Sequence, residues 1–260
     1  MGVGKIAEVG ELLVLARTTA ERAGRRLLED VTGEYRGYIA SADHPREIKA
    51  EADRILDQEI HSALASTGVP VLSEEAGLLS NGSSDTIRFI VDPVDGTFNY
   101  VHGLGPWAVS IALWRGLEPI FGVVYSGDDD EVFWGGPGIG AFRGECPIRV
   151  SSTLNRSRAS VCTGVPSRVE IDDPGFRQRL LKVIGAFGKI RMIGSAAVSL
   201  VRVASGIADA YCEDGIMIWD VAGGLAIVEG AGGRTTLRAS CVESSYDVFA
   251  GNGRFRHPSE

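Results

Sequence analysis

The stretch Phe89-Ile90-Val91-Asp92-Pro93-Val94-Asp95-Gly96-Thr97-Phe98-Asn99 constrains the fold more than any other part of the chain. An apolar run leads straight into two carboxylates and a glycine turn, the pattern of a buried strand that ends at a polar rim. Carboxylates this close repel each other unless a cation lies between them. Hard divalent cations with oxygen ligands suit such a place. Pro93 fixes the backbone between the acids, and the Val94 carbonyl offers a third oxygen. Gly96 and Thr97 then present backbone N–H groups where a helix can begin, a position that favours phosphate. A metal beside a phosphate is the first chemical expectation.

The rest of the chain bounds this reading. Its 260 residues, 44% of them hydrophobic, suffice for one large domain or two closely joined ones. A net charge of -8 argues against steering of nucleic acid. The four cysteines, Cys146, Cys162, Cys212 and Cys241, have no CxxC spacing, which argues against a zinc site and against a disulfide framework and points to a reducing cytoplasm. Lys5, Glu8, Glu11 and Arg17 interrupt any apolar leader, and no run of apolar residues is long enough for a membrane span.

Helical spacing of Ile6, Val9, Leu12, Leu13, Ala16, Ala20, Ala23 and Leu27 predicts a first helix from Lys5 to about Asp30. A second is predicted over 47–66, and a short buried strand over 69–72 delivers Ser73-Glu74-Glu75. A loop at Asn81-Gly82-Ser83-Ser84 precedes the strand at 88–91, and segments 107–115, 119–125 and 131–135 read as a meander. After about residue 150, strands (159–163, 189–193, 207–212, 247–250) alternate with helices (173–187, 196–205, 219–229), as in layered α/β domains. The expected organisation is α/β, with two subdomains, 1–150 and 151–260, sharing a metal-lined cleft.

Five acids stand where strands end or helices begin: Asp53, Glu74, Asp92, Asp95 and Asp220. Taken singly, Asp220 reads as a helix cap, Asp53 as a solvated helix residue and Glu74 as part of a surface turn. Together they supply an all-oxygen donor set, without histidine or cysteine, that fits magnesium better than zinc or copper.

The motifs resemble those of the inositol monophosphatase family. Ile90–Asn99 is similar to its DPxDGTxN signature, Trp219-Asp220-Val221-Ala222-Gly223-Gly224 to its WDxAxG signature, and Ser73-Glu74-Glu75 to its GEE/SEE element. Ala50–Arg54 is similar to its first helix motif, but carries Ala50 where the family commonly has Thr. The resemblance implies a five-layered αβαβα sandwich, two or three Mg²⁺ ions, lithium sensitivity and a homodimer. It assigns Glu74, Asp92 and the Val94 carbonyl to one metal, and Asp92, Asp95 and Asp220 to a second. It makes Asp53, Thr97 and Glu74 catalytic, and gives the phosphate to the Gly96 and Thr97 amides.

Substrate contacts are expected at Asp95, Gly194, Ser195, Ala196, Glu213 and Asp220, as in the inositol-specific branch. Glu213 suits a polyol, because a carboxylate accepts hydrogen bonds from neighbouring hydroxyls. It also reads as a plain strand-end residue, and Asp214 beside it is an alternative. The expected reaction is hydrolysis of inositol monophosphate. The rivals are histidinol phosphate, fructose 1,6-bisphosphate, another sugar phosphate, adenosine 3',5'-bisphosphate, or a catalytically silent metal-binding regulator.

Overall fold

The computed structural model describes residues 3–30, 33–40, 46–78, 86–240, 242 and 244–258. The loop expected at Asn81–Ser84 and Cys241 lie outside the described residues. In chain order the elements are α1 (Val3–Leu28), β1 (Tyr38–Ala40), β2 (Ile48–Ala50), α2 (Glu51–Leu64), β3 (Val71–Ser73), β4 (Gly77–Leu78), β5 (Ile87–Asp95) and α3 (Thr97–His102). There follow β6 (Ala108–Arg115), β7 (Glu118–Ser126), β8 (Glu131–Gly136), β9 (Gly140–Arg143), β10 (Cys146–Pro147), β11 (Ser160–Cys162), α4 (Pro174–Ala186) and β12 (Lys189–Arg191). The last are α5 (Ala196–Ala204), β13 (Ala210–Met217), α6 (Ile218–Gly230), β14 (Arg234–Ala239) and β15 (Ser245–Gly251).

Besides the two-stranded pair β1-β2, two larger sheets organise these elements. One has eight strands in the order β10-β9-β8-β7-β6-β5-β3-β4, the other five in the order β12-β11-β13-β15-β14. The apolar stripe of α1 (Leu13, Ala16, Ala20, Ala23, Leu27) and that of α2 (Leu56, Ile60, Leu64) pack on one face of the larger sheet, against Val109, Ile111, Phe121 and Val123. Its other face, through Ile90, Ala112 and Val124, meets α5 and α6, which also pack on the smaller sheet. Val183 and Phe187, in and just after α4, cover that sheet's far side at Val161, Ala210 and Phe249. The layers therefore run α, β, α, β, α. A helix held between two sheets has no wet face, and Val221–Val228 of α6 are all buried. Glycine lets this helix sit close: a Cβ on Gly122 of β7 would lie 2.0 Å from the Gly223 carbonyl oxygen.

The structure corrects several expected boundaries. Residues 48–50 form β2, paired antiparallel with β1, so α2 starts at Glu51 and not at Glu47. Ile48 fitted the helical period, but Ala50 is extended (φ -93°, ψ 160°) and ends the strand. The strand expected over 207–212 starts at Ala210 and runs on to Met217. The edge strand β14 was not anticipated; Arg234 and Arg238 disguise it, although charge on an edge is how sheets avoid further pairing.

The strand expected over 88–91 continues through both acids as β5. Asp92 opposes Ser110 and Asp95 opposes Ala108, so three steps on β5 match two on β6. This is a β-bulge, and Pro93, which has no N–H to give to a ladder, lies inside it. In a regular strand residues three apart face opposite ways. The bulge brings Asp92 and Asp95 to the same side.

Candidate metal centre and active-site cleft

The ends of β3 and β5, the start of α6 and the loop before α5 converge on a cleft of about 270 Å³, whose lining includes Glu74, Asp92, Asp95, Thr97, Glu213 and Asp220. Carboxylate oxygens of Asp92, Asp95 and Asp220 lie within 4.8 Å of one another. Asp92 is 1% exposed; its Oδ1 accepts from the Val94 N–H at 3.0 Å, whereas its Oδ2 is buried with no hydrogen-bond donor. A buried carboxylate oxygen without a donor is costly, and a cation resolves it.

Electrostatics agree with this geometry. Burial raises the Asp92 carboxyl well above the usual carboxylate range, and the charges of Glu74, Asp220 and Asp95 add to the shift. Glu74 is raised in the same way, first by burial and then by Asp220, Asp53 and Glu75, while Lys49 opposes the shift. Burial also raises Asp220 well above its usual range, with Asp95 adding to it. Glu74 and Asp220 keep part of their surface open to the cleft while protein encloses their other sides. Four acids that disfavour one another's ionisation, all offering oxygen, fit a hard divalent cation such as Mg²⁺.

Asp95 has a second task. It lies at the other end of the cluster, its oxygens accepting from the Ser195 hydroxyl, the Ala196 N–H at 3.2 Å and the Ala197 N–H at 2.8 Å. It thereby caps the first turn of α5 from a residue 100 positions earlier. Burial raises its carboxyl to about 6, and these donors hold it from rising further. Gly194, Ser195 and Ala196 are thus brought to the cleft, with Ser195 directed at Asp95 and at the Val198 N–H. Asn99 provides a second tie, donating to the Pro106 carbonyl at 2.9 Å and to the Ile193 carbonyl at 2.7 Å.

Gly96 takes φ +84° before α3, and a Cβ there would lie 3.0 Å from the carbonyl oxygens of both Gly194 and Pro106. Only glycine suits this position. The Thr97 hydroxyl lies 2.8 Å from the Val94 carbonyl oxygen and 3.2 Å from Asp53 Oδ1. Asp53 is 2% exposed, and its Oδ2 accepts from the Ala50 N–H at 2.6 Å. Burial raises Asp53 to about 7, the Ala50 N–H opposes the rise, Glu75 adds to it and Thr97 opposes it. Ala50 cannot cap α2 with its side chain, so the tie runs only from Asp53 back to the Ala50 backbone.

Glu213 reaches the cleft from β13, and its Oε2 accepts from the Tyr211 hydroxyl at 2.9 Å. Burial raises it to about 7, Tyr211 opposes the rise, and Asp95 and Asp214 add to it. Asp214 does not substitute for it: alternation along β13 turns Asp214 to the opposite face, against Arg179 at 2.7 Å. Thr163–Pro166 also line the cleft.

Three contributors escaped the sequence reading, and Ser195, expected as a substrate contact, also holds Asp95. Tyr211 orients Glu213, and their spacing of two on one strand was a usable signal. Lys49 pairs with Glu75 at 2.8 Å beside the acids. Arg168, which lines the cleft, grips the buried Glu47 through two bonds of 2.9 and 3.1 Å and lies over the Trp219 ring. Nothing in the local sequence pairs residues 47 and 168.

The model of the inositol monophosphatase family matches residues 8–258. A protein of Aquifex aeolicus named fructose-1,6-bisphosphatase/inositol-1-monophosphatase is 38% identical over 182 residues, covering 70% of this chain and 68% of its own. An inositol-1-monophosphatase of Mesorhizobium japonicum is 35% identical over 224 residues, covering 85% of this chain and 84% of its own. Among solved structures, the extragenic suppressor protein suhB from Bartonella henselae superposes with a TM-score of 0.80 at 33% identity, over 94% of this chain and 95% of that one.

Proposed function

This chain belongs to the inositol monophosphatase family, and from that premise we propose that it is a Mg²⁺-dependent phosphomonoesterase that hydrolyses inositol monophosphate to inositol and orthophosphate. The observation that carries this reading is that the acid nest and Glu213 line one cleft. A metal-binding wall thus faces a carboxylate suited to a polyol.

In this reading Glu74, Asp92 and the Val94 carbonyl hold one ion, and Asp92, Asp95 and Asp220 a second. When bound, the ions supply an acidified water and charge neutralisation at the phosphoryl and leaving oxygens. The side chains do the rest. Thr97, between the Val94 carbonyl and Asp53, passes a proton from the attacking water toward the Asp53 carboxylate. A base raised to about 7 is suited to accept that proton near neutral pH. The Gly96 and Thr97 amides receive the phosphate oxygens. Glu213, steadied by Tyr211, has Oε1 left for ring hydroxyls and repels a second phosphate nearby. Gly194–Ala196 shape the floor beneath the ring.

The same proposal takes residues 1–150 and 151–260 as two subdomains, supported by the confinement of the larger sheet to 71–147 and the smaller to 160–251. It takes the working form as a lithium-sensitive, cytoplasmic homodimer, with a small phosphate ester as its partner. Among the described residues, no helix is long and apolar enough to cross a membrane.

A phosphate-release panel under a magnesium titration tests the reading. Inositol 1-phosphate should be turned over fastest, and only with Mg²⁺ present. Faster turnover of fructose 1,6-bisphosphate, histidinol phosphate or adenosine 3',5'-bisphosphate would overturn the substrate. No phosphate from any ester would overturn the enzyme.

A further inference from the structure

β13 has two faces with different chemistry. Tyr211 and Glu213 point to the helix layer and the cleft, while Cys212 and Asp214 point the other way, toward α4 and the carboxy-terminal segment. There Cys212 is 1% exposed and Asp214 9%, and the His257 side chain is 11% exposed. We propose that Cys212 Sγ, an Asp214 carboxylate oxygen and His257 Nε2 form a second metal site, for a borderline divalent cation of the zinc type.

Ligand atoms of these three residues lie within 4.8 Å of one another, close enough for one ion to touch all three. The donor set differs from that of the cleft. Sulfur and imidazole favour zinc-like ions, whereas the all-oxygen nest favours magnesium, so the two sites do not compete for the same cation. Asp214 is already aimed: Arg179 Nε holds its Oδ2 at 2.7 Å, while Oδ1 faces His257 Nε2 at 3.6 Å. A ligating carboxylate fixed through its second oxygen is the arrangement that outer partners of metal sites provide. Burial works to raise Asp214, but the neighbouring His257 and Arg179 outweigh it and hold the carboxyl below its usual range. Asp247, which accepts from the Gly215 N–H at 3.0 Å on the neighbouring strand, adds a negative charge that offsets Arg179. A cavity of about 10 Å³ borders Cys212 and Asp214 and has room for about one water.

Without a metal the Cys212 thiol stays protonated, because burial and then the charges of Asp214, Glu213 and Asp247 raise it. Metal binding forms the metal–sulfur bond, breaks the S–H bond and releases that proton to solvent. The consequence is mechanical: the ion fastens the segment carrying His257 to the strand that presents Glu213.

Cobalt(II) titration of the whole protein, with Mg²⁺ saturating the cleft, tests the site. A near-ultraviolet thiolate-to-cobalt charge-transfer band should rise to one equivalent; the oxygen-only cleft cannot produce it. Cys212→Ser should abolish the band, and His257→Gln should weaken cobalt binding at least about tenfold. Cys146→Ser should leave it intact, and Mg²⁺-dependent hydrolysis should be unchanged in all three. Absence of a sulfur band in the unsubstituted protein overturns the proposal without reference to any variant's folding. A band that persists at full strength in Cys212→Ser, or binding unchanged in His257→Gln, also overturns it.

Discussion

Two buried carboxylates, Asp92 in the cleft and Asp209 beneath β11, meet opposite fates. Asp209 accepts from the Ser151 hydroxyl at 2.6 Å, the Ser160 N–H at 2.7 Å and the Ser160 hydroxyl at 3.2 Å. Burial works to raise it, yet these donors outweigh burial and hold it below its usual range. Asp92 has one donor, an oxygen with none, and three acids for neighbours, so burial and repulsion raise it. Burial alone therefore does not distinguish a functional acid from a structural one. What distinguishes them is whether the protein itself supplies the compensating charge. Asp209 is complete within the fold, and Asp92 is complete only with a cation.

The largest effect expected from breaking this contrast is at Asp92. Asp92→Asn should lower kcat/KM by about 10³-fold, the scale of a lost metal contact worth several kcal/mol. In chelator the same variant should melt above the parent, because a repelled charge is gone. A variant that melts lower in chelator would remove the distinction. Thr97→Ala comes next, at about 10²-fold in kcat, with a smaller change in the magnesium concentration needed. Thr97→Ser should restore most of the rate, since the hydroxyl is what lies between Val94 and Asp53.

The contrast also has a pH form. Asp95 at about 6 and Asp53 at about 7 are raised above their unfolded values, so their contribution to the stability of the metal-free protein is fully present only below the ordinary carboxylate range. That contribution falls as pH rises from about 4 to about 7. Asp209, being lowered, contributes in the opposite sense: its stabilisation is present above the ordinary range and disappears on acidification. Denaturant midpoints across this range, with and without Mg²⁺, should show the first trend vanish when magnesium is added. Asp209→Asn should cost about 1–3 kcal/mol at neutral pH whether or not magnesium is present. The smallest effect is at Ala50, where Ala50→Ser restores a side-chain acceptor at the start of α2 and should add about 1 kcal/mol in thermal melting.

Most of the site was readable because its chemistry is written in short covalent spacings. Asp92, Asp95, Gly96 and Thr97 are adjacent, Asp220 follows Trp219, and apolar periods marked most of the helices on either side. What escaped depends on contacts between distant residues or on backbone irregularity. No local pattern announces that Asp95 caps α5, that Asn99 grips the Ile193 carbonyl, or that Glu47 belongs to Arg168. The bulge was missed because Pro93 reads equally well as the end of a strand. Ile48 misled for a simpler reason: one apolar residue in helical phase cannot outvote the pairing of β2 with β1.

The bulge between Asp92 and Asp95 sets a rule of parity. Pairing β5 with β6 without the bulge, at the same three-residue interval, would send one carboxylate to the wrong face of the sheet, so the odd interval and the extra residue belong together. A change of length here keeps both acids on the cleft side only if it alters the interval and the bulge together.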